Sequence, residues 1–78
     1  MNILTKDKPT VATKLWFDEN KLVVLLEDGR ELAVPLEWFP KLRDAEQKDL
    51  LNWRWIGNGI GIHWETLDED ISIEGLLR

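Results

Sequence analysis

The sequence predicts an α+β domain: two β-hairpins and an N-terminal strand form a small, mainly antiparallel sheet, with one short central helix and a short C-terminal helical turn. Three observations predict it. Two dipeptides typical of hairpin turns, Asp28-Gly29 and Asn58-Gly59, each lie between short apolar runs. β-Branched and aromatic residues fill a segment before the first turn. A helix-capping pattern lies between the two hairpins.

The length of the chain predicts one domain. Its 78 residues are at the low end of domain sizes. We expect a single α+β domain over residues 10–78, after a loose lead-in over residues 1–9. The chain contains no cysteine, so neither disulfides nor thiolate metal sites can stabilise it. With no apolar leader and no segment of transmembrane length, we expect a cytoplasmic protein.

Net charge disfavours two classes of partner. Fifteen acidic residues against ten basic ones give a formal charge of −5. Nucleic-acid binding depends mainly on Lys and Arg side chains that neutralise phosphates. We therefore expect neither a nucleic-acid partner nor a membrane partner.

The first strand is predicted over residues 10–17, which are mostly β-branched, apolar or aromatic. After a polar turn, residues 22–27 and 30–34 flank the first hairpin turn, and Pro35 ends the third strand. An edge strand of this hairpin could pair with a second copy of the chain, which would give a homodimer.

The first hairpin turn also predicts which side chains share a face. A two-residue loop puts four apolar side chains on one face: Val23, Leu25, Leu32 and Val34. The other face carries Leu22, Val24, Leu26 and Ala33, interrupted by Glu31. A sheet buried on one face is polar on the other. This apolar back of the first hairpin therefore needs a cover, either a helix or something else.

The central helix is predicted from Ala45 to about Asn52. Asp44 followed by Gln47 resembles a capping box at its start, and Pro40 prevents a longer helix. Leu50 and Leu51 are expected on its buried side.

The second hairpin is predicted to carry most of the tryptophans into the core. Pairing across its turn gives a core face of four large side chains: Trp53, Trp55, Ile62 and Trp64. The opposite face has Arg54 directly across from His63. Near the C-terminus, Ser72 is expected to cap a helical turn that docks three apolar side chains: Ile73, Leu76 and Leu77.

His63, the only histidine, has Asp68 and Asp70 as the nearest carboxylates in sequence. Arg54 opposite it would disfavour the imidazolium and repel a metal ion. The run from Asp68 to Asp70 does not fit a calcium loop, because Ile73 stands where that loop needs glycine. No metal site is predicted.

The run Gly57-x-Gly59-x-Gly61 does not fit a dinucleotide-binding loop, because Ile62 stands at the next required glycine and a strand follows. The sequence pattern identifies no residue as a catalytic nucleophile either. We predict no catalytic residue and no cofactor, and therefore a protein that is not an enzyme. Trp16 and Trp38 are not assigned to the core face, and an interface is an alternative for either.

Several longer stretches of the chain carry a family resemblance. They are Asp28-Gly29-Arg30, Trp38-Phe39-Pro40-Lys41-Leu42, Ala45-Glu46-Gln47, Gly57-Asn58-Gly59-Ile60-Gly61-Ile62-His63-Trp64 and the run from Leu67 to Leu77. Together they resemble the bacterial Domain of Unknown Function 2442 over nearly the whole chain. Glu65 departs from the pattern, since many members have proline there.

The resemblance implies a small α+β domain without an established catalytic residue. Members are often encoded beside a second small protein, in gene pairs that resemble toxin–antitoxin modules. Some carry an added helix-turn-helix domain, and its DNA-binding role is not expected to carry over to this chain.

Two functions of different class follow from these observations. The first is a protein-interaction domain, an antitoxin-like partner of a small protein from a neighbouring gene. Its expected partner-binding residues are Arg54, His63, Asp68, Glu69 and Asp70. The alternative is a small-ligand-binding or enzymatic domain that uses the surface around Arg54 and His63.

Overall fold

The strands form two sheets rather than one. The computed structural model describes residues 10–77, and the lead-in predicted over residues 1–9 lies outside the described residues. Two antiparallel three-stranded sheets have the strand orders β1-β2-β3 and β4-β5-β6. The strands are β1 (Ala12–Asp18), β2 (Lys21–Leu26), β3 (Glu31–Pro35), β4 (Trp53–Ile56), β5 (Gly61–Trp64) and β6 (Glu69–Ser72). The predicted α+β class is confirmed, with a different strand layout.

The first hairpin has a three-residue loop, so its predicted register is wrong by one residue. The backbone N–H of Leu26 donates to the carbonyl of Arg30 at 2.8 Å. Gly29 has φ of +96°, the left-handed conformation that ends a three-residue hairpin loop. The observed pairs include Leu22 with Val34, and not Val23 with Val34.

This shift regroups the two faces of the hairpin, because a one-residue slip turns every side chain of one strand over relative to its partner strand. Three residues predicted on the apolar back, Leu22, Val24 and Leu26, are in fact core and at most 2% exposed. The core on β3 is Val34, paired with Leu22, whereas Ala33, predicted on the same back, is exposed. Val23 lies on the outer face, opposite Trp16 on β1.

The second hairpin has the predicted register, with Trp53 opposite Trp64 and Arg54 opposite His63. Its loop spans residues 57–60 instead of two residues, which leaves the pairing unchanged. Ile62 and Trp64 are fully buried, as expected of the core face. No strand is predicted from the sequence where β6 lies. The strand β6 pairs with β5 through Ile71 and Ile62.

Along the chain, two separate single turns lie between the sheets: α1 (Pro40–Arg43), which follows a 3-10 turn at Leu36–Trp38, and α2 (Gln47–Leu50). The helix predicted over residues 45–52 is confirmed only as the shorter turn α2 within that range. Asp44 does not cap α2, since its carboxylate accepts hydrogen bonds from the Arg43 guanidinium. Leu51 is 58% exposed, contrary to expectation.

The C-terminal turn α3 (Ile73–Leu76) confirms its prediction. The Ser72 hydroxyl accepts a hydrogen bond from the N–H of Gly75 at 2.7 Å, and Ile73 and Leu76 are buried. No helix in residues 10–77 is both long enough and apolar enough to cross a bilayer.

One core joins the two sheets. Its buried side chains come from both sheets and from the turns between them: Ala12, Leu22, Val24, Leu26, Val34, Leu36, Leu42, Ile62, Trp64, Ile71, Ile73 and Leu76. The Trp64 indole N–H donates to the carbonyl of Leu50 at 2.9 Å, which fixes α2 against the second sheet. The outer face and the free edge of the second sheet lie outside this core.

Candidate interaction site

Three charged side chains form a row across the outer face of the second sheet. Arg54 on β4 lies opposite His63 on β5, and His63 lies opposite Asp70 on β6. Directly opposed residues of an antiparallel sheet share a face, so the register alone brings these side chains together. The row therefore unites three of the five residues predicted from the sequence.

His63 is held between two carboxylates. Its Nδ1 is hydrogen-bonded to Asp70, and its Nε2 lies 3.1 Å from Glu65 Oε1. Only the imidazolium can donate from both ring nitrogens. The pKa of His63 is raised above its ordinary value of 6.5, chiefly by the hydrogen bond to Asp70 and then by the one to Glu65. Partial burial of the ring acts in the opposite direction and lowers the pKa.

Arg54 disfavours the imidazolium as expected, but it does not decide the net direction of the pKa shift of His63. The charge of Arg54 does lower the pKa of His63, but the two carboxylates have the larger effect. The Arg54 Nε also lies 4.0 Å from Glu65 Oε1. Glu65 therefore lies beside both Arg54 and His63.

Sequence reasoning missed Glu65 as a member of this cluster. A signal for it was present, because residues two apart on a strand lie on the same side. Glu65 follows His63 by two positions at the end of β5. Asp70, the other carboxylate beside His63, was named as a candidate from the sequence. Its place beside His63 depends on the pairing of β6 with β5.

The acidic run of residues 68–70 is divided between two surroundings. The Asp68 carbonyl accepts a hydrogen bond from Lys41 Nζ at 3.1 Å, and Glu69 Oε1 lies 3.8 Å from the same ammonium. Asp70 instead faces His63. Asp68 and Glu69 therefore do not join the charged row, although all three residues border the free edge of β6.

A shallow groove of about 270 Å³ lies along that edge. It is lined by Trp38, Phe39, Asp70, Ile71, Ser72, Gly75 and Leu76. Trp38 is 58% exposed, so the part of the groove that its indole lines is open to solvent. Apolar side chains and Asp70 line the groove together, which suits a ligand that is both apolar and cationic.

The described residues contain no group of three or more histidine or carboxylate side chains placed to hold a metal ion. The carboxylates beside His63 are engaged with its ring nitrogens instead. The exposed groups of this region are carboxylates, the Arg54 guanidinium and the Trp38 indole.

The family model described as Protein of unknown function (DUF2442) matches residues 12–78. The chain belongs to this family. The match covers both sheets and every helical turn, and it confirms the resemblance found in the sequence.

Two solved structures are similar to this DUF2442 chain. A crystal structure of a protein of unknown function from Rhodospirillum rubrum has a TM-score of 0.76 and 35% identity, covering 90% of this chain and 87% of that one. A solution structure of an uncharacterised protein from Chromobacterium violaceum has a TM-score of 0.71 and 28% identity, covering 86% of this chain and 63% of that one. Comparison with curated proteins finds no match.

Proposed function

We propose that this DUF2442 chain is a protein-interaction domain without catalytic activity, and that it binds a small basic protein beside the free edge of the second sheet. One observation carries the proposal: Trp38, 58% exposed, lines a groove together with Asp70. Tryptophan is the residue type most enriched among those that dominate binding energy at protein interfaces.

The charge around the groove supports a basic partner. The side chains of Asp70 and Glu37 are 68% and 73% exposed, although Asp70 contacts His63 and Glu37 contacts Arg43. The whole chain carries a formal charge of −5. Complementary charge speeds the encounter of two proteins and excludes partners of like charge. The net charge of the whole chain disfavours an acidic protein or a nucleic acid as partner.

The alternative, an enzymatic or small-ligand-binding domain on the surface around Arg54 and His63, is less favoured by the geometry. A general base needs a free nitrogen within hydrogen-bond reach of its substrate. Both ring nitrogens of His63 already have carboxylate partners. A substrate would first have to displace Asp70 or Glu65.

In its specific form, the proposal makes the partner the small protein encoded by a neighbouring gene, with this chain in an antitoxin-like role. The family resemblance supports this form, because members are often encoded in gene pairs that resemble toxin–antitoxin modules. It requires that the two chains form a stable complex and that this chain relieves any growth defect caused by the neighbour.

The test is co-expression of this chain with its neighbour, followed by size-exclusion chromatography and a growth assay. We expect a complex whose affinity falls about tenfold or more in Trp38→Ala, the effect typical of a dominant interface residue. Trp16→Ala is the matched control, since Trp16 is an exposed tryptophan on the first sheet. Absence of a complex, or equal losses in both variants, would contradict the proposal; so would a homodimer that excludes the neighbour.

A further inference from the structure

The edge of β6 presents backbone groups that have no partner in residues 10–77. The N–H of Ile73 donates to the carbonyl of Ile60 at 2.9 Å, directly beyond the pair of Ser72 and Gly61. Hydrogen-bonded and non-bonded pairs alternate along an antiparallel ladder. Asp70 and Ser72 are therefore the residues of β6 whose backbone N–H groups point away from β5, along the groove.

We propose that this edge accepts an extended basic segment of the partner as an added strand of the second sheet. The inference rests on the proposed function and specifies how the partner binds. In strand addition, backbone hydrogen bonds supply much of the affinity and alternate side chains supply the specificity. The N–H groups of Asp70 and Ser72 and the carbonyl of Asp70 are the groups that the added strand would use.

The surroundings of the edge define the side-chain pattern of the added strand. A residue opposite Asp70 shares the outer face with its carboxylate, so lysine or arginine is favoured there. The next residue lies opposite Ile71 and turns toward the groove between Trp38 and Leu76, where an apolar side chain fits. The bound segment therefore alternates basic and apolar residues.

The other strand edges suit such a segment less well. The β3 edge ends in Pro35, and a register irregularity lies between Ala12 and Lys14 on β1; both features are common means of blocking edge pairing. The β4 edge carries Arg54 on the outer face, which would repel a basic strand. The β6 edge combines a carboxylate with a groove.

The test uses a blocked peptide of about eight residues that alternates lysine and valine, a length that covers the edge of a short strand. Binding to the ¹⁵N-labelled chain is followed by calorimetry and by amide hydrogen exchange. We expect the N–H groups of Asp70 and Ser72 to exchange quickly in the free chain and slowly with peptide bound. A peptide that alternates glutamate and valine should not bind.

Ser72→Pro removes one outward N–H group, and the φ of −90° at Ser72 is close to that of proline. We expect it to weaken peptide binding about tenfold. Ser72→Ala is the matched control: both variants lose the hydroxyl that caps α3, but alanine keeps the N–H. Its affinity should stay within about twofold of wild type.

N-methylation of the peptide provides an independent measurement. Methyl groups on the lysine amides or on the valine amides remove one set of strand donors, and we expect only one of the two peptides to lose binding. No binding, binding without protection of Asp70 and Ser72, or equal affinity of the two Ser72 variants would overturn strand addition. Complex formation with the neighbouring protein decides the proposed function separately.

Discussion

The carbonyl of Gly59 accepts a hydrogen bond from the backbone N–H of Ala12 at 2.8 Å, which ties the turn of the second hairpin to the start of β1. Gly59 has φ of +113° and is buried. A Cβ atom at this position would overlap the carbonyl oxygen of Ala12. Glycine is therefore required at position 59 for two reasons: the positive φ and the close approach of the backbone of β1.

We expect Gly59→Ala to lower the free energy of unfolding by about 3 kcal/mol or more, because strain and a backbone clash add. Gly29→Ala is the matched control: Gly29 also has positive φ, but nothing lies within 4 Å of the added Cβ. It should lose about 1 kcal/mol from strain alone. Urea denaturation followed by circular dichroism measures both, and equal losses would contradict the close approach.

The two hairpins show how far a turn dipeptide determines register. For the second hairpin, a loop lengthened by one residue on each side keeps the same pairs, so the predicted register is right. For the first, an odd-length loop ending at Gly29 shifts the register. Its strand β2 is apolar on both faces, so the alternation of side chains cannot distinguish the two loops.

The candidate site depended on a strand that local sequence does not favour. Asp and Glu are depleted in strands, and β6 begins with Glu69 and Asp70. It forms because Ile71 packs into the core beside Ile62, a tertiary effect. Arg54 and His63 could be paired from the sequence, but the carboxylate that completes the row could not.

The environment of His63 predicts a raised pKa that can be measured directly. The chain has one histidine, so NMR titration of the ring needs no assignment. We expect a midpoint above 6.5 in the wild type. Asp70→Asn should lower the midpoint most, because its hydrogen bond has the largest effect, and Glu65→Gln should lower it less. A midpoint unaffected by Asp70→Asn would contradict the cluster.

The same pKa predicts how stability depends on pH. The pKa of His63 is higher in the folded state than its ordinary value of 6.5, so the folded chain holds this proton more tightly. The cluster therefore stabilises the fold fully below that value, and the contribution is lost as pH rises through the folded-state pKa. Between about pH 6 and pH 8, urea denaturation should show a larger loss of stability in wild type than in His63→Gln. Parallel curves would contradict the linkage.

Trp64 predicts the last measurable effect, because its indole is fully buried and satisfies the carbonyl of Leu50 at the end of α2. Carbonyls at the end of a helix lack intrahelical donors. Trp64→Phe leaves this carbonyl unpaired and creates a small void, so we expect a loss of about 2 kcal/mol in the free energy of unfolding. Trp38→Phe, at an exposed indole, is the control and should change stability by less than about 0.5 kcal/mol. Chemical denaturation of both variants tests the contrast, and a stable Trp64→Phe would show that α2 does not depend on the indole.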